Sequence, residues 1–148
     1  MRFSSFERFQ LHDGNGRAVA GPWGEEESSS YESGTVSLDG EVWRIRTARV
    51  TPTKPGAFVA GWERGARGET RPFPRVGSVV GLMVFVTEGE RFGVFRFTQD
   101  MLADLGVVRS GSSPGKRGFR VYPGWSGGLN AQAVRAQRAQ APAFEQLA

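Results

Sequence analysis

The feature that most constrains the fold is an apolar run at 79–86, VVGLMVFV. The run is far shorter than the roughly 20 residues that a membrane-spanning helix needs, but it has the length of a strand. A strand that is apolar on both faces is covered on both faces. The sequence therefore predicts a central sheet strand at 78–87, joined by the polar turn 88–90 to a second strand at 91–98.

Further segments have the residue pattern of strands. The pair Asp39-Gly40 lies between extended segments at 35–38 and 42–50 and is typical of a two-residue type I′ hairpin turn. Shorter strands are expected at 57–62 and 119–122.

Helix signals are few and local. A capping box at 4–7, SSFE, predicts a short helix within 1–11. Thr98 and Asn130 are good N-cap residues for a short helix at 99–105 and for the last helix, which Pro142 should end. We therefore expect an α+β fold, mostly β, with a curved antiparallel sheet or open barrel and two or three short helices.

The length of the chain, 148 residues, suits one domain. We expect a single domain over 1–148, with a loop-rich N-terminal segment at 1–33 and a C-terminal helix and tail at 129–148. The first residues lack the apolar core of a signal peptide, which favours a cytoplasmic location.

Several kinds of chemistry are excluded by residue type and spacing. The chain has no Cys and one His, His12, so disulfides, thiol nucleophiles and multi-His metal sites are ruled out. The string GSSPGKR at 111–117 has three residues rather than four between its glycines, and no Ser or Thr after the lysine, so it is not a nucleotide-binding phosphate loop. Pro52 and Pro114 lie two positions before the lysines, where the common nuclease core has an acid. We expect no catalytic residue, metal or cofactor.

The charge distribution points to an anionic partner. The chain has nineteen Lys and Arg residues and fifteen Asp and Glu residues, and three of the acids are clustered at 25–27. The remaining surface is therefore more basic than the net charge of +4 indicates, which favours a partner with phosphate or carboxylate groups. Arg44 and Arg46 alternate with apolar residues in the 42–50 strand, which predicts a basic outer face.

Only two of the basic residues are lysines, Lys54 and Lys116. Each lies in a short Pro/Gly string, TPTKPG at 51–56 and SPGKRG at 113–118, where a compact ammonium group has room that a planar guanidinium lacks. Turns are also where exposed lysines ordinarily lie, so the pattern fits either a binding role or simple solvation.

Several strings together resemble the MepB-like family of small bacterial proteins. They are RIRTARVTPTKPG at 44–56, FGVF at 92–95 and GKRGFRVYP at 115–123, together with Trp62 and Trp125. The resemblance covers roughly 27–140. At 137–140 the chain has QRAQ where the family has Gln-x-Trp-Gln, so it lacks one aromatic residue of that pattern.

The resemblance implies a fold similar to the DNA-binding pseudobarrel of plant B3 domains and of the recognition domain of some restriction enzymes. Domains of that type read duplex DNA in the major groove with a strand-and-loop surface rich in Arg, Lys and Trp. The first hypothesis is accordingly a non-catalytic module for double-stranded DNA, in which phosphate contacts supply affinity. Its candidate contact residues, on one concave face, are Arg44, Arg46, Lys54, Trp62, Arg64, Lys116, Arg117 and Arg120.

Two other interpretations stay open. In the second, the protein binds a small anionic or phosphate-bearing ligand, clamped by Lys54 and Lys116 in one recess walled by Trp62, Tyr122 and Trp125. In the third, the protein is a scaffold that acts through its acidic loop and its last helix. Against all of them stands a purely structural alternative, in which the Trp residues pack the core and the arginines form ion pairs with acids such as Glu41, Glu63 and Glu69.

Overall fold

The computed structural model describes residues 2–14, 16–25, 31–75 and 77–148. The helices in these ranges are α1 Ser4–Asp13, α2 Gln99–Asp104, α3 Ala131–Gln140 and a 3-10 turn at Ala141–Ala143. The strands are β1 Val19–Gly24, β2 Gly34–Leu38, β3 Glu41–Thr47, β4 Arg49–Val50, β5 Ala57–Ala60, β6 Trp62–Arg64, β7 Thr70–Pro72, β8 Gly81–Glu88, β9 Arg91–Thr98, β10 Gly118–Val121 and β11 Phe144–Gln146.

The strands form a large sheet and two small ones. The large sheet has the order β1-β2-β3-β8-β9-β11, the second has the order β10-β5-β4, and β6 and β7 form a separate hairpin. The sheets are open, and β3 with β8 is the one parallel pair among the named strands of the described residues. The expected fold class, α+β and mostly β with short helices, is confirmed.

Strand β8 lies inside the large sheet, as its apolar run predicts, and it separates two cores. Val84 and Val86 pack with Phe95 and Phe97 on the side that faces the second sheet. Phe85 packs on the other side with residues of α1. Each face of β8 thus contributes to a different core, which is why both faces are apolar.

The turn between β2 and β3 has the conformation that its sequence predicts. Asp39 and Gly40 have φ values of 50° and 83°, and a type I′ turn requires positive φ at both central residues. The Asp39 carboxylate also accepts a hydrogen bond of 2.8 Å from the backbone N–H of Ala18, just before β1. This turn therefore fixes the hairpin and ties β1 to it.

Both ends of the chain contain strands that the sequence analysis missed. β1 lies in the segment expected to be rich in loops, and it pairs with β2 at the edge of the large sheet. β11 lies in the expected C-terminal tail and pairs with β9 at the opposite edge. Both are edge strands without a regular apolar alternation, so their sequences carry little strand signal.

Helix α1 forms where predicted, but a different residue caps it. The expected capping box is wrong, because the N-cap is Phe3 and no side chain within the helix caps it. Instead Glu32 accepts hydrogen bonds from the backbone N–H groups of Ser4 and Ser5, at 3.2 and 3.1 Å, and from the Thr47 hydroxyl at 2.9 Å. A carboxylate at a helix N-terminus also interacts favourably with the helix dipole.

The caps predicted for the other two helices are confirmed. The Thr98 hydroxyl accepts a hydrogen bond from Met101 N, and Asn130 Oδ1 accepts one from Ala133 N. Helix α3 ends at Gln140, ahead of Pro142. Across the described residues, no helix has the length and apolar character to cross a membrane.

Candidate functional site

Arg46 is buried, so the expected basic outer face of β3 is wrong. Its side chain is 2% exposed and lies against the Phe73 ring, 5.1 Å from the ring centroid. The guanidinium donates to the Glu25 carboxylate at 2.9 and 3.3 Å and to the Ile45 carbonyl at 2.9 Å. Of the acidic cluster at 25–27, only Glu25 lies within the described residues. Arg46 is thus committed to an internal ion pair and cannot contact a ligand.

Arg44 is half-buried on the same side of β3. Its guanidinium lies 4.2 Å from the Phe73 ring centroid and 3.4 Å from Glu63 Oε2. Burial lowers the pKa of Arg44, while the carboxylates of Glu63 and Glu25 act in the opposite direction. The β6–β7 hairpin and Phe73 therefore cover the arginine face of β3.

Glu63 connects the hairpin to this covered face. Besides its contact with Arg44, its carboxylate lies 3.3 Å from Arg71 Nε and 3.9 Å from Arg109 Nη2. Of the ion pairs in the structural alternative, the one between an arginine and Glu63 is present, because Glu63 is the ion-pair partner of Arg44. A cavity of about 310 Å³ lies beside Glu63, between Trp62 and Arg44.

A second basic group surrounds the β6–β7 hairpin on its solvent side. Arg64 donates to the Gly68 carbonyl at 2.6 Å and lies 5.4 Å from the Trp62 ring centroid. Arg117 donates to the Thr70 carbonyl at 3.1 Å, and its own carbonyl accepts from Gly61 N at 2.9 Å. The loop before β10 is therefore fastened along the hairpin.

We call four of the solvent-exposed cations the hairpin face: Arg64 and Arg67 of the hairpin, and Lys116 and Arg117 of the loop before β10. Glu69 is the exposed carboxylate of the same turn, and it accepts a hydrogen bond from the backbone N–H of Arg67 at 3.1 Å. Since Glu63 pairs instead with Arg44, Arg71 and Arg109, the hairpin face has four cations and one exposed carboxylate.

The two lysines lie off opposite ends of one strand pair. β5 and β10 are antiparallel, so the start of β5 lies beside the end of β10. Lys54 comes just before β5, and Lys116 comes just before β10. They line different cavities. The expectation that both ammonium groups enter one recess is therefore wrong, and so is the two-lysine clamp on a single anion.

The cavity beside Lys116 has a volume of about 330 Å³ and lies between β10 and α3. Arg120 and Tyr122, both predicted site residues, line it. Its floor includes Gln140, which is 4% exposed and hydrogen-bonded to the backbone of β10. The sequence analysis did not propose Gln140 as a site residue, although Gln140 is the last residue of the QRAQ string that was compared with the family pattern Gln-x-Trp-Gln.

The cavity beside Lys54 has a volume of about 400 Å³. Trp125 lines it, donates through Nε1 to Glu88 Oε1 at 2.8 Å, and packs edge-on against Phe144 at 5.6 Å. Arg91, which the sequence analysis did not consider, also lines it. The predicted site residues therefore separate into the covered pair Arg44 and Arg46, the group around the hairpin, and two further cavities.

The open sheets and short helices define an α+β protein, mostly β. The model of the MepB-like family matches residues 25–146, and the chain belongs to this family. The structure is similar to the crystal structure of MepB, with a TM-score of 0.84 and 29% sequence identity over 99% of this chain and 97% of that chain. Among curated proteins, none matches the chain. The family that the sequence strings indicated is confirmed.

Proposed function

We propose that the protein is a non-catalytic module that binds double-stranded DNA through the hairpin face. The observation that carries the proposal is the grouping of Arg64, Arg67, Lys116 and Arg117 around one hairpin, exposed, with Glu69 as the nearby exposed acid. Lys and Arg side chains in such a group neutralise phosphates and release counterions, which is the main source of affinity for duplex DNA.

The shape of the hairpin suits the major groove. A two-stranded β-ribbon fits this groove of B-DNA, and β6 and β7 form such a ribbon with Arg67 in its turn. In the proposed arrangement Arg67 reaches base edges, while Arg64, Lys116 and Arg117 hold phosphates on either side. Arg is the side chain that most often makes specific contacts to guanine.

The anchoring of the hairpin favours binding at low entropic cost. Arg64 and Arg117 each hydrogen-bond a hairpin carbonyl, and Glu63 joins β6 to the core arginine Arg44. Cations that are already held in place lose less conformational freedom when they contact phosphates. We do not include Arg44 and Arg46 among the DNA-contacting residues, because the hairpin covers them. They support the hairpin instead.

A titration of a fluorescently labelled duplex, followed by anisotropy at low salt, tests the proposal. We expect Arg67→Ala to weaken binding by about tenfold, in line with the loss of one base contact, and Lys116→Ala to weaken it a few-fold. The matched control is Arg138→Ala, which removes one exposed charge from α3 and should leave affinity nearly unchanged. An equal loss in Arg138→Ala, or no binding by the wild type, would reject the hairpin face.

A further inference from the structure

The cavity beside Lys54 is separate from the hairpin face and has features of a binding site. Two exposed cations, Lys54 and Arg91, line it from different parts of the chain. Ser126 also lines it.

We propose that this cavity binds a small phosphate-bearing molecule, with Lys54 and Arg91 as the cationic partners. The proposal does not depend on DNA binding, because none of these residues belongs to the hairpin face. The volume of the cavity, about 400 Å³, is in the range of small-molecule sites. Trp125 forms one aromatic wall of the cavity.

The loop that carries Lys54 is held in place by a residue outside it. Arg120 of β10 donates to the Pro55 carbonyl at 3.3 Å and to the Thr51 hydroxyl at 3.0 Å. These contacts fix the two sides of the Lys54 turn. The predicted site residue Arg120 is therefore a positioning residue for this loop.

The opposite rim of the cavity is fixed as well. Gln137 of α3 donates to the carbonyls of Pro123 and Ser126, at 2.9 and 3.2 Å. Trp125 is held by its hydrogen bond to Glu88 and by its packing on Phe144. With both rims anchored, little ordering is needed when an anion enters.

Glu88 is the one carboxylate among the residues that line this cavity. One of its oxygens already accepts the Trp125 indole N–H, and its charge offsets one of the two cations. The cavity thus keeps a net positive charge, yet Glu88 weakens its attraction for anions. Removing the Glu88 charge should therefore tighten anion binding, an effect that a purely structural cavity would not show.

Isothermal titration calorimetry with inorganic pyrophosphate as the probe tests the proposal on the full chain. We expect millimolar or tighter binding by the wild type, a loss of about tenfold or more in Lys54→Gln and in Arg91→Gln, and a few-fold gain in Glu88→Gln. The matched control is Lys116→Gln, which alters the other lysine and should bind pyrophosphate as the wild type does. Thermal unfolding of each variant checks that it folds.

The same variants distinguish a free phosphate compound from the phosphates of DNA. Lys54→Gln should bind duplex DNA like the wild type while it loses pyrophosphate, so failure of either proposal is seen without the other. Absence of pyrophosphate binding at millimolar concentration would overturn the anion site, as would an equal loss in Lys116→Gln. Lower duplex affinity in Lys54→Gln without any pyrophosphate binding would also overturn it and assign the cavity to the DNA surface.

Discussion

Gln140 hydrogen-bonds to the backbone at Tyr122 in the way that a neighbouring strand would. Its Oε1 accepts from Tyr122 N at 2.8 Å, and its Nε2 donates to the Arg120 carbonyl at 2.9 Å. One side chain of α3 thus satisfies two polar groups at the edge of β10, opposite the edge that pairs with β5. The contact fixes the last helix against the second sheet.

Gln140→Ala should lower the free energy of unfolding by about 2 kcal/mol, because it leaves a backbone donor and a backbone acceptor without partners at a buried position. Gln132→Ala is the matched control, since Gln132 lies on the same helix and is exposed. It should change stability by less than about 0.5 kcal/mol. Urea unfolding measures both, and equal effects would show that the Gln140 contact is not stabilising.

The buried ion pair between Arg46 and Glu25 predicts that removing its carboxylate lowers stability more than removing an exposed carboxylate does. Glu25→Gln leaves the 2%-exposed Arg46 guanidinium without its counter-ion, and should destabilise the fold by roughly 2 kcal/mol. Glu7→Gln removes an acid from an exposed pair with Arg2 and should cost no more than about 0.5 kcal/mol. Denaturant unfolding of the two variants checks the difference. A Glu25→Gln protein as stable as Glu7→Gln would contradict the structural role assigned to Arg46.

Glu32 predicts how stability depends on pH. Burial raises the pKa of Glu32, but hydrogen bonds from Ser4, Ser5 and Thr47 outweigh burial and lower the pKa below 4.5. A lowered pKa in the folded state means that the carboxylate stabilises the fold above the unfolded-state pKa, and that this contribution is lost as the pH falls through the folded-state pKa.

Glu32→Gln should therefore be less stable than the wild type at neutral pH, and the difference should vanish at a pH well below 4.5. Thermal unfolding across this range measures it. Glu90→Gln, in the exposed turn after β8, is the control and should follow the wild type. A constant gap between Glu32→Gln and the wild type at every pH would contradict the capping role of the Glu32 carboxylate.

Features determined by neighbouring residues could be predicted from the sequence. The apolar run of β8 indicated a strand covered on both faces, Asp39-Gly40 indicated the turn between β2 and β3, and Asn130 indicated the start of α3. Each is a short-range signal, in which a few adjacent residues have one favourable conformation. The class of fold follows from the sum of such signals.

The position of the cations could not be predicted, because it depends on contacts between distant segments. Alternation along β3 placed Arg44 and Arg46 on one face, but only the packing of the β6–β7 hairpin makes that face internal. Similarly, the register of β5 against β10 sends Lys54 and Lys116 to different cavities. The Pro/Gly strings around Lys54 and Lys116 are similar, so they did not indicate that the two lysines line different cavities.

The most direct test of the proposed function is the dependence of duplex affinity on salt concentration. With three phosphate contacts from Arg64, Lys116 and Arg117, the slope of log K against log salt should be about −3, and Lys116→Ala should make it less steep by about one. Arg138→Ala should keep the wild-type slope. A flat salt dependence for the wild type, or a slope that Lys116→Ala leaves unchanged, would contradict DNA binding through the hairpin face.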